Sequence, residues 1–132
     1  MDLATYFENT NGTGVLATSD LEGNVDAAIY ARPYVVDERT IAFSMLERLS
    51  YGNIRANPKA AYLFVERGEG YTGKRLYLTK THEETDPERV KELKKKHSRI
   101  FSPDQINRHI VYFKVEKIRA LVGDKEEVEE DK

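Results

Sequence analysis

A buried strand and a strictly alternating one, separated by a glycine-rich break, constrain this chain more than anything else in it. Ala60-Ala61-Tyr62-Leu63-Phe64-Val65-Glu66 is a short apolar run of the kind that fills the middle of a sheet, and Arg67 to Gly73 follows with three glycines. Lys74 to Thr81 then alternates, with Leu76 and Leu78 on one side and Arg75, Tyr77 and Thr79 on the other. Side chains point to opposite faces at every step of a strand, so one face of this strand meets a core and the other is polar. A chain built around such a pair is a β protein.

The flanking segments agree. Leu3, Tyr6 and Phe7 fall at i, i+3 and i+4 behind Asp2, which predicts a short capped amphipathic helix that plugs one end of a barrel. Val15 to Ser19 and Val25 to Tyr34 form a hairpin about the turn Leu21-Glu22-Gly23-Asn24, and Thr40 to Met45 adds a third strand after the charged reversal Asp37-Glu38-Arg39. Glu47 to Asn57 reads as a short helix stopped by Pro58, and Asp86-Pro87 opens a helix from Pro87 to His97 with acids early and lysines late. Ser102-Pro103-Asp104-Gln105 starts another brief helical turn, and His109 to Val122 is a long last strand. These elements predict a mainly β fold, a six-stranded split barrel with short flanking helices, rather than a doubly wound sheet. Residues 1–123 form one domain, and 124–132 a charged, mobile tail.

Composition narrows the function. No run approaches the roughly 18 apolar residues of a membrane span, and Met1 to Glu8 lacks the pattern of a secretory signal, so a soluble cytoplasmic protein is expected. The chain has no cysteine, hence no disulfide, thiolate site or thiol nucleophile, and any redox chemistry must come from a cofactor. With 21 basic and 23 acidic residues it offers no broad positive field, and Lys94-Lys95-Lys96 with Arg99 sits at a helix end where cations are favoured anyway. Nucleic acid and membrane are therefore not expected partners.

Common catalytic signatures are missing: there is no Walker loop, HExxH or GxSxG. Gly68 to Arg75 looks faintly like a phosphate loop but joins two strands rather than a strand and a helix. His82, His97 and His109 lack ligand spacing, and no metal site is expected. Acid pairs such as Glu83 with Glu84, or Asp37 with Glu47, read as solvated surface.

What remains is an order of segments: Gly14 to Ser19, Glu22 to Tyr30, Ile41 to Ser44, then Ser50 to Pro58 running into Ala60 to Val65. This order resembles the pyridoxamine 5′-phosphate oxidase-like family of FMN-binding split barrels, over about the first two thirds of the chain. The resemblance implies FMN, held in a cleft between the protomers of a homodimer. It implicates Ala28, Ile29, Tyr30 and Ala31 beside the ring, Phe43 and Ser44 at the end of a strand, and Arg48, Leu49, Ser50 and Asn53 about the phosphate. A helix start suits that anion.

The sequence departs from the oxidase itself. Where the oxidase reads Ser-Arg-Lys, this chain reads Arg48-Leu49-Ser50, and the expected arginine of the second strand is Ala28. Lys74 or Arg75, supplied from the second subunit, is a candidate replacement. Pyridoxamine 5′-phosphate is accordingly not the expected substrate. The implied activity is a flavin-dependent oxidoreductase acting with a small-molecule electron donor or acceptor, in which Tyr71, Tyr77 and His109 are the side chains able to approach the flavin. The alternatives are a non-catalytic flavin-binding or electron-carrier module, or a split barrel that uses heme or deazaflavin.

Overall fold

The computed structural model describes residues 2–96 and 109–127. The chain runs α1 (Leu3–Asn9), β1 (Gly12–Ser19), β2 (Val25–Ile29), β3 (Tyr34–Asp37), β4 (Thr40–Met45), α2 (Leu49–Ala56), β5 (Lys59–Glu66), β6 (Gly73–Glu84), α3 (Pro87–Lys96) and β7 (His109–Ala120). All seven strands join one antiparallel sheet in the order β2-β1-β5-β6-β7-β4-β3. Its two edges, β2 and β3, are consecutive in sequence, so the sheet curls into a barrel that stays split between them.

One expectation is corrected at that split. Val25 to Tyr34 is not one strand but two, β2 and β3, which makes seven strands among the described residues instead of six. Pro33 has no N–H to give a ladder, and the four residues Tyr30 to Pro33 carry the chain across the open side of the barrel. The crossing is fastened at its start by the Tyr30 N–H donating to the Gly14 carbonyl at 2.9 Å. The Tyr62 hydroxyl, between the Tyr30 and Ala31 carbonyls at 3.1 Å from each, holds it from beneath.

The core lies inside the curl. Leu16, Phe43, Tyr62, Phe64, Leu76, Leu78 and Phe113 are buried there, and Leu3 and Phe7 of α1 close one end. The α1 helix is capped by Asp2, whose Oδ1 accepts from the Ala4 amide at 3.0 Å, and Arg32 binds the Phe7 and Thr10 carbonyls at its other end. On the far side of β4 and β7, Val90 of α3 packs on Ala42 and Ile110. The α3 start is as the sequence implied, with Asp86 accepting from the Glu88 amide at 3.0 Å. His97, Arg99 and the turn at Ser102 lie outside the described residues.

Leu76 and Leu78 face the core and Arg75, Tyr77 and Thr79 face out, as the alternation requires. Lys74 shares the inward phase and is 6% exposed, its ammonium 2.7 Å from a Glu127 carboxylate oxygen and 4.8 Å from the centre of the Tyr6 ring. Asp124 to Glu127, expected as part of a free tail, are instead tied to the barrel. The chain turns back so that Arg119 bridges Glu126 and the Glu127 amide donates to the Ile118 carbonyl at 2.8 Å. Residues 128–132 lie outside the described residues.

Gly14 is a position where no side chain fits, because a Cβ there would collide with the Tyr62 hydroxyl and press on the Tyr30 carbonyl. Gly14→Ala is expected to cost about 1–3 kcal/mol by forcing Tyr62 off its rotamer. A urea titration that finds the two proteins equally stable would show that Tyr62 does not anchor the crossing.

Candidate functional site

Of the residues singled out beforehand, Arg48, Leu49 and Ser50 lie at the start of α2 and Asn53 one turn on, while the others stand on β2, the crossing, β4 and β6. Arg48 is the N-cap, extended at φ −126° and ψ −165°, and it makes no side-chain capping bond. The first α-helical bond runs from the Gly52 amide to the Arg48 carbonyl at 3.0 Å, so the amides of the first turn keep their donors unclaimed by a cap. Arg48 and Leu49 are exposed, and Arg48 has no ion-pair partner among the described residues. An uncapped helix start beside a guanidinium offers donors suited to an anion, with the carboxylates of Glu47 and Asp26 nearby.

Ser50, in the first turn, and Asn53, in the next, face inward. The Asn53 side-chain amide donates to the Thr18 hydroxyl at 3.0 Å in a buried bond, which ties α2 to β1 and makes Asn53 a residue that positions the helix. The Ser50 hydroxyl lies a long 3.4 Å from Asp26 on β2. Asp26 therefore belongs to this corner, although nothing in its sequence neighbourhood marked it.

Along β2, Ala28 is half-buried on the inner side, whereas Val25 and Ile29 point outward at 82% and 72% exposure. Ala31 is exposed at the crossing. Tyr30 is half-buried, its ring 5.8 Å from that of Phe43. Phe43 is itself in the core, also ringed by Tyr62 and Phe113, so it can meet a ligand only through its backbone. Ser44 is buried on the opposite face of β4.

Lys74 and Arg75 stand apart from this corner within one chain. Thr18, which Asn53 contacts, pairs with Ala60 and Ala60 with Leu78, so Lys74 lies four residues away along β6, or about 13 Å at a strand rise of about 3.3 Å. Lys74 is occupied by Glu127, and the Arg75 guanidinium donates to the Ala120 and Gly123 carbonyls.

A polar relay packs behind α2. The His109 ring stacks on Tyr51 at 4.5 Å, and its Nε2 is 3.4 Å from Glu47, the residue before Arg48. The Tyr51 hydroxyl donates to Glu83 at 2.9 Å, and burial with that bond pushes its pKa up to about 12. Burial also pushes the Glu83 carboxyl up, but the hydrogen bonds from Tyr51 and Lys80 outweigh it and hold the group below the usual carboxylate range. A carboxyl held low in the folded state contributes stability above its unfolded value and loses it as pH falls through the lower folded one. Acidification from about pH 7 to about pH 3 should therefore lower the urea midpoint of the native protein more than that of Glu83→Gln. Equal shifts would remove Glu83 as a stabilising charge.

Among the described residues no group of three His, Asp or Glu side chains could hold a metal ion, and no helix is long and apolar enough to cross a membrane. The family model described as pyridoxamine 5′-phosphate oxidase matches residues 3–122. The chain belongs to the pyridoxamine 5′-phosphate oxidase family. No curated protein matches it in sequence. Solved structures of similar fold include an FMN-binding protein from Syntrophomonas wolfei, 17% identical with a TM-score of 0.72 over 90% of this chain and 83% of that one. HupZ of Group A Streptococcus is 22% identical, with a TM-score of 0.68 over 90% of each chain. The heme storage protein HutZ from Vibrio cholerae is 14% identical, with a TM-score of 0.69 over 91% of this chain and 95% of that one. Proteins of this fold thus include one named for FMN and one named for heme, and the fold alone does not set the ligand.

Proposed function

We propose that this member of the pyridoxamine 5′-phosphate oxidase family binds FMN at the start of α2 and is a flavin-dependent oxidoreductase. The observation that carries the reading is the uncapped N-terminus of α2, with Arg48 exposed beside it and the Ser50 hydroxyl within the same turn. That donor set fits a dianionic phosphate ester, because backbone amides, a guanidinium and a hydroxyl all donate. Asp26, which accepts from the Ser50 hydroxyl, has the complementary chemistry: its carboxylate would accept from ribityl hydroxyls rather than hold the phosphate. Bound FMN would supply the electron or hydride transfer.

The chain's own residues bind and orient. Asn53 fixes the helix tip against β1, and the Tyr62 bonds fix the Tyr30-Ala31 backbone beside which the ring system would lie. The outward row Val25 and Ile29 continues through Val15 and Ala17 of β1 to Ala61 and Leu63 of β5, by register. Two valines, two alanines, an isoleucine and a leucine on one sheet face form the surface on which a second copy of the chain would pack.

The test is to offer FMN to the purified protein, remove the excess, and read the visible spectrum and the elution volume. A retained flavin spectrum, equimolar with protomers, on a dimer is expected. A colourless sample that elutes as a monomer overturns the reading, and retention of heme in preference to flavin would replace the cofactor. Turnover of NADH or NADPH by the flavin-loaded protein separates an oxidoreductase from a module that only carries the flavin.

A further inference from the structure

A second polar region lies on the outer face of the barrel, three strands from β2. Arg75, Tyr77 and Thr79 project from β6, and they are flanked by Lys59 of β5, paired with Thr79, and by Lys117 and Arg119 of β7, paired with Tyr77 and Arg75. Together they line an open groove of about 520 Å³. Its only acids among the described residues are Glu116 and Asp124. The chain as a whole carries a formal charge of −2, yet this groove gathers four cations against two carboxylates.

The arrangement is costly as bare structure. Arg75 and Arg119 are directly paired across the β6–β7 ladder, and like charges directly opposite destabilise a sheet. Neither arginine is neutralised, because among the described residues their bonds go to backbone carbonyls: Arg75 to Ala120 and Gly123, Arg119 to Asp124 at 2.9 Å. Those bonds hold each guanidinium in place without cancelling its charge. Arg119 is also 5.5 Å from the centre of the Tyr77 ring, and Lys59 donates to the Thr79 hydroxyl at 2.9 Å instead of to a carboxylate. Of the nearby acids, Glu116 accepts from the Thr79 hydroxyl and feels Lys59 within the groove, besides lying 3.7 Å from Lys114, and Glu126 is 3.9 Å from Lys117, so Arg75 and Arg119 are the two groove cations that no carboxylate pairs with among the described residues.

We infer that this groove is a binding site for a phosphorylated small molecule, separate from the flavin corner at α2. Two fixed guanidinium forks and a lysine at the groove's far end suit the oxygens of a phosphate or diphosphate, and the volume is that of an organic ligand rather than a bare ion. The groove borders the apolar face given to the second protomer, since Leu63 pairs with Arg75 and Ala61 with Tyr77.

The inference does not rest on the flavin reading, and one set of titrations tests both. Isotope-labelled protein is titrated with inorganic pyrophosphate and with ADP, and the amide shifts of β6 and β7 are followed; FMN affinity is measured on the same samples. Arg119→Gln and Lys59→Ser are expected to weaken pyrophosphate and ADP about tenfold each, while Arg48→Ala leaves both unchanged. Lys59 is exposed, so its variant reports even if Arg119→Gln disturbs the fold. Unchanged affinity in both groove variants, or shifts confined to α2, overturns the inference. A loss of FMN affinity in the groove variants as large as that in Arg48→Ala also overturns it, because the groove would then be part of the flavin site. If Arg48→Ala leaves FMN binding intact while the groove titrations behave as expected, the flavin corner fails and the groove stands.

Discussion

Replacing Tyr62 by alanine is expected to destabilise the chain by about 3–5 kcal/mol, one of the largest losses available to a single substitution here. Tyr62 is fully buried, and its ring lies within 4.9 Å of Phe43 and 6.2 Å of Phe7 by ring centres. Removing it opens a cavity where the α1 plug meets the β4 core, and the surrounding strands are too tied by their ladders to collapse into it. Tyr62→Phe keeps the ring and deletes only the hydroxyl that holds the Tyr30 and Ala31 carbonyls. It is expected to cost about 1 kcal/mol, and to accelerate hydrogen exchange in the Tyr30 to Pro33 crossing before it is felt elsewhere. If both variants unfold at the same urea concentration, the hydroxyl carries the effect and the aromatic core contributes little. If Tyr62→Phe is silent in both measurements, the crossing is held by its own backbone.

Much of the barrel was legible in the sequence because its signals are local. The cap at Asp2, the proline behind Asp86 and the alternation of Leu76 with Tyr77 each state a conformation within a few residues. The division of Val25 to Tyr34 was not, because the stretch carries strand-forming residues on both sides of Pro33 and the reason for the break is the sheet order. One half pairs with β1 and the other with β4, at opposite edges. Lys74 shows the same limit. Its place in the alternation put it on the core face, its charge argued for the surface, and Glu127, more than fifty residues on, is what reconciles the two.

The candidate site divides in the same way. The place of Arg48 and Ser50 at a helix start was legible from the order of segments around Asn57-Pro58. Asp26 was not, because an acid in a hairpin strand looks like any solvated residue until Ser50 is brought to 3.4 Å from it. The groove on the outer face was hidden for a further reason. Lys59, Arg75, Lys117 and Arg119 come from three strands, and only the register sets Arg75 against Arg119.

Charge reversal at the helix tip should separate the flavin corner from the rest of the surface most sharply. Arg48→Glu is expected to weaken FMN by about 2–3 kcal/mol, a factor of roughly 30 to 150, because it removes a charge-assisted donor and sets a carboxylate against a dianion. Folding should be nearly untouched, since Arg48 is exposed and makes no capping bond. Lys95→Glu alters the net charge identically from an exposed position on α3, and it should leave the affinity within about twofold once ionic strength is near physiological, where screening removes distant charges. Fluorescence quenching of FMN on titration with each variant gives the comparison directly. Equal losses would mean that FMN senses only the overall field of the protein. A loss confined to Arg48→Glu assigns the phosphate to the first turn of α2, where the unclaimed amides and the guanidinium act on the same anion.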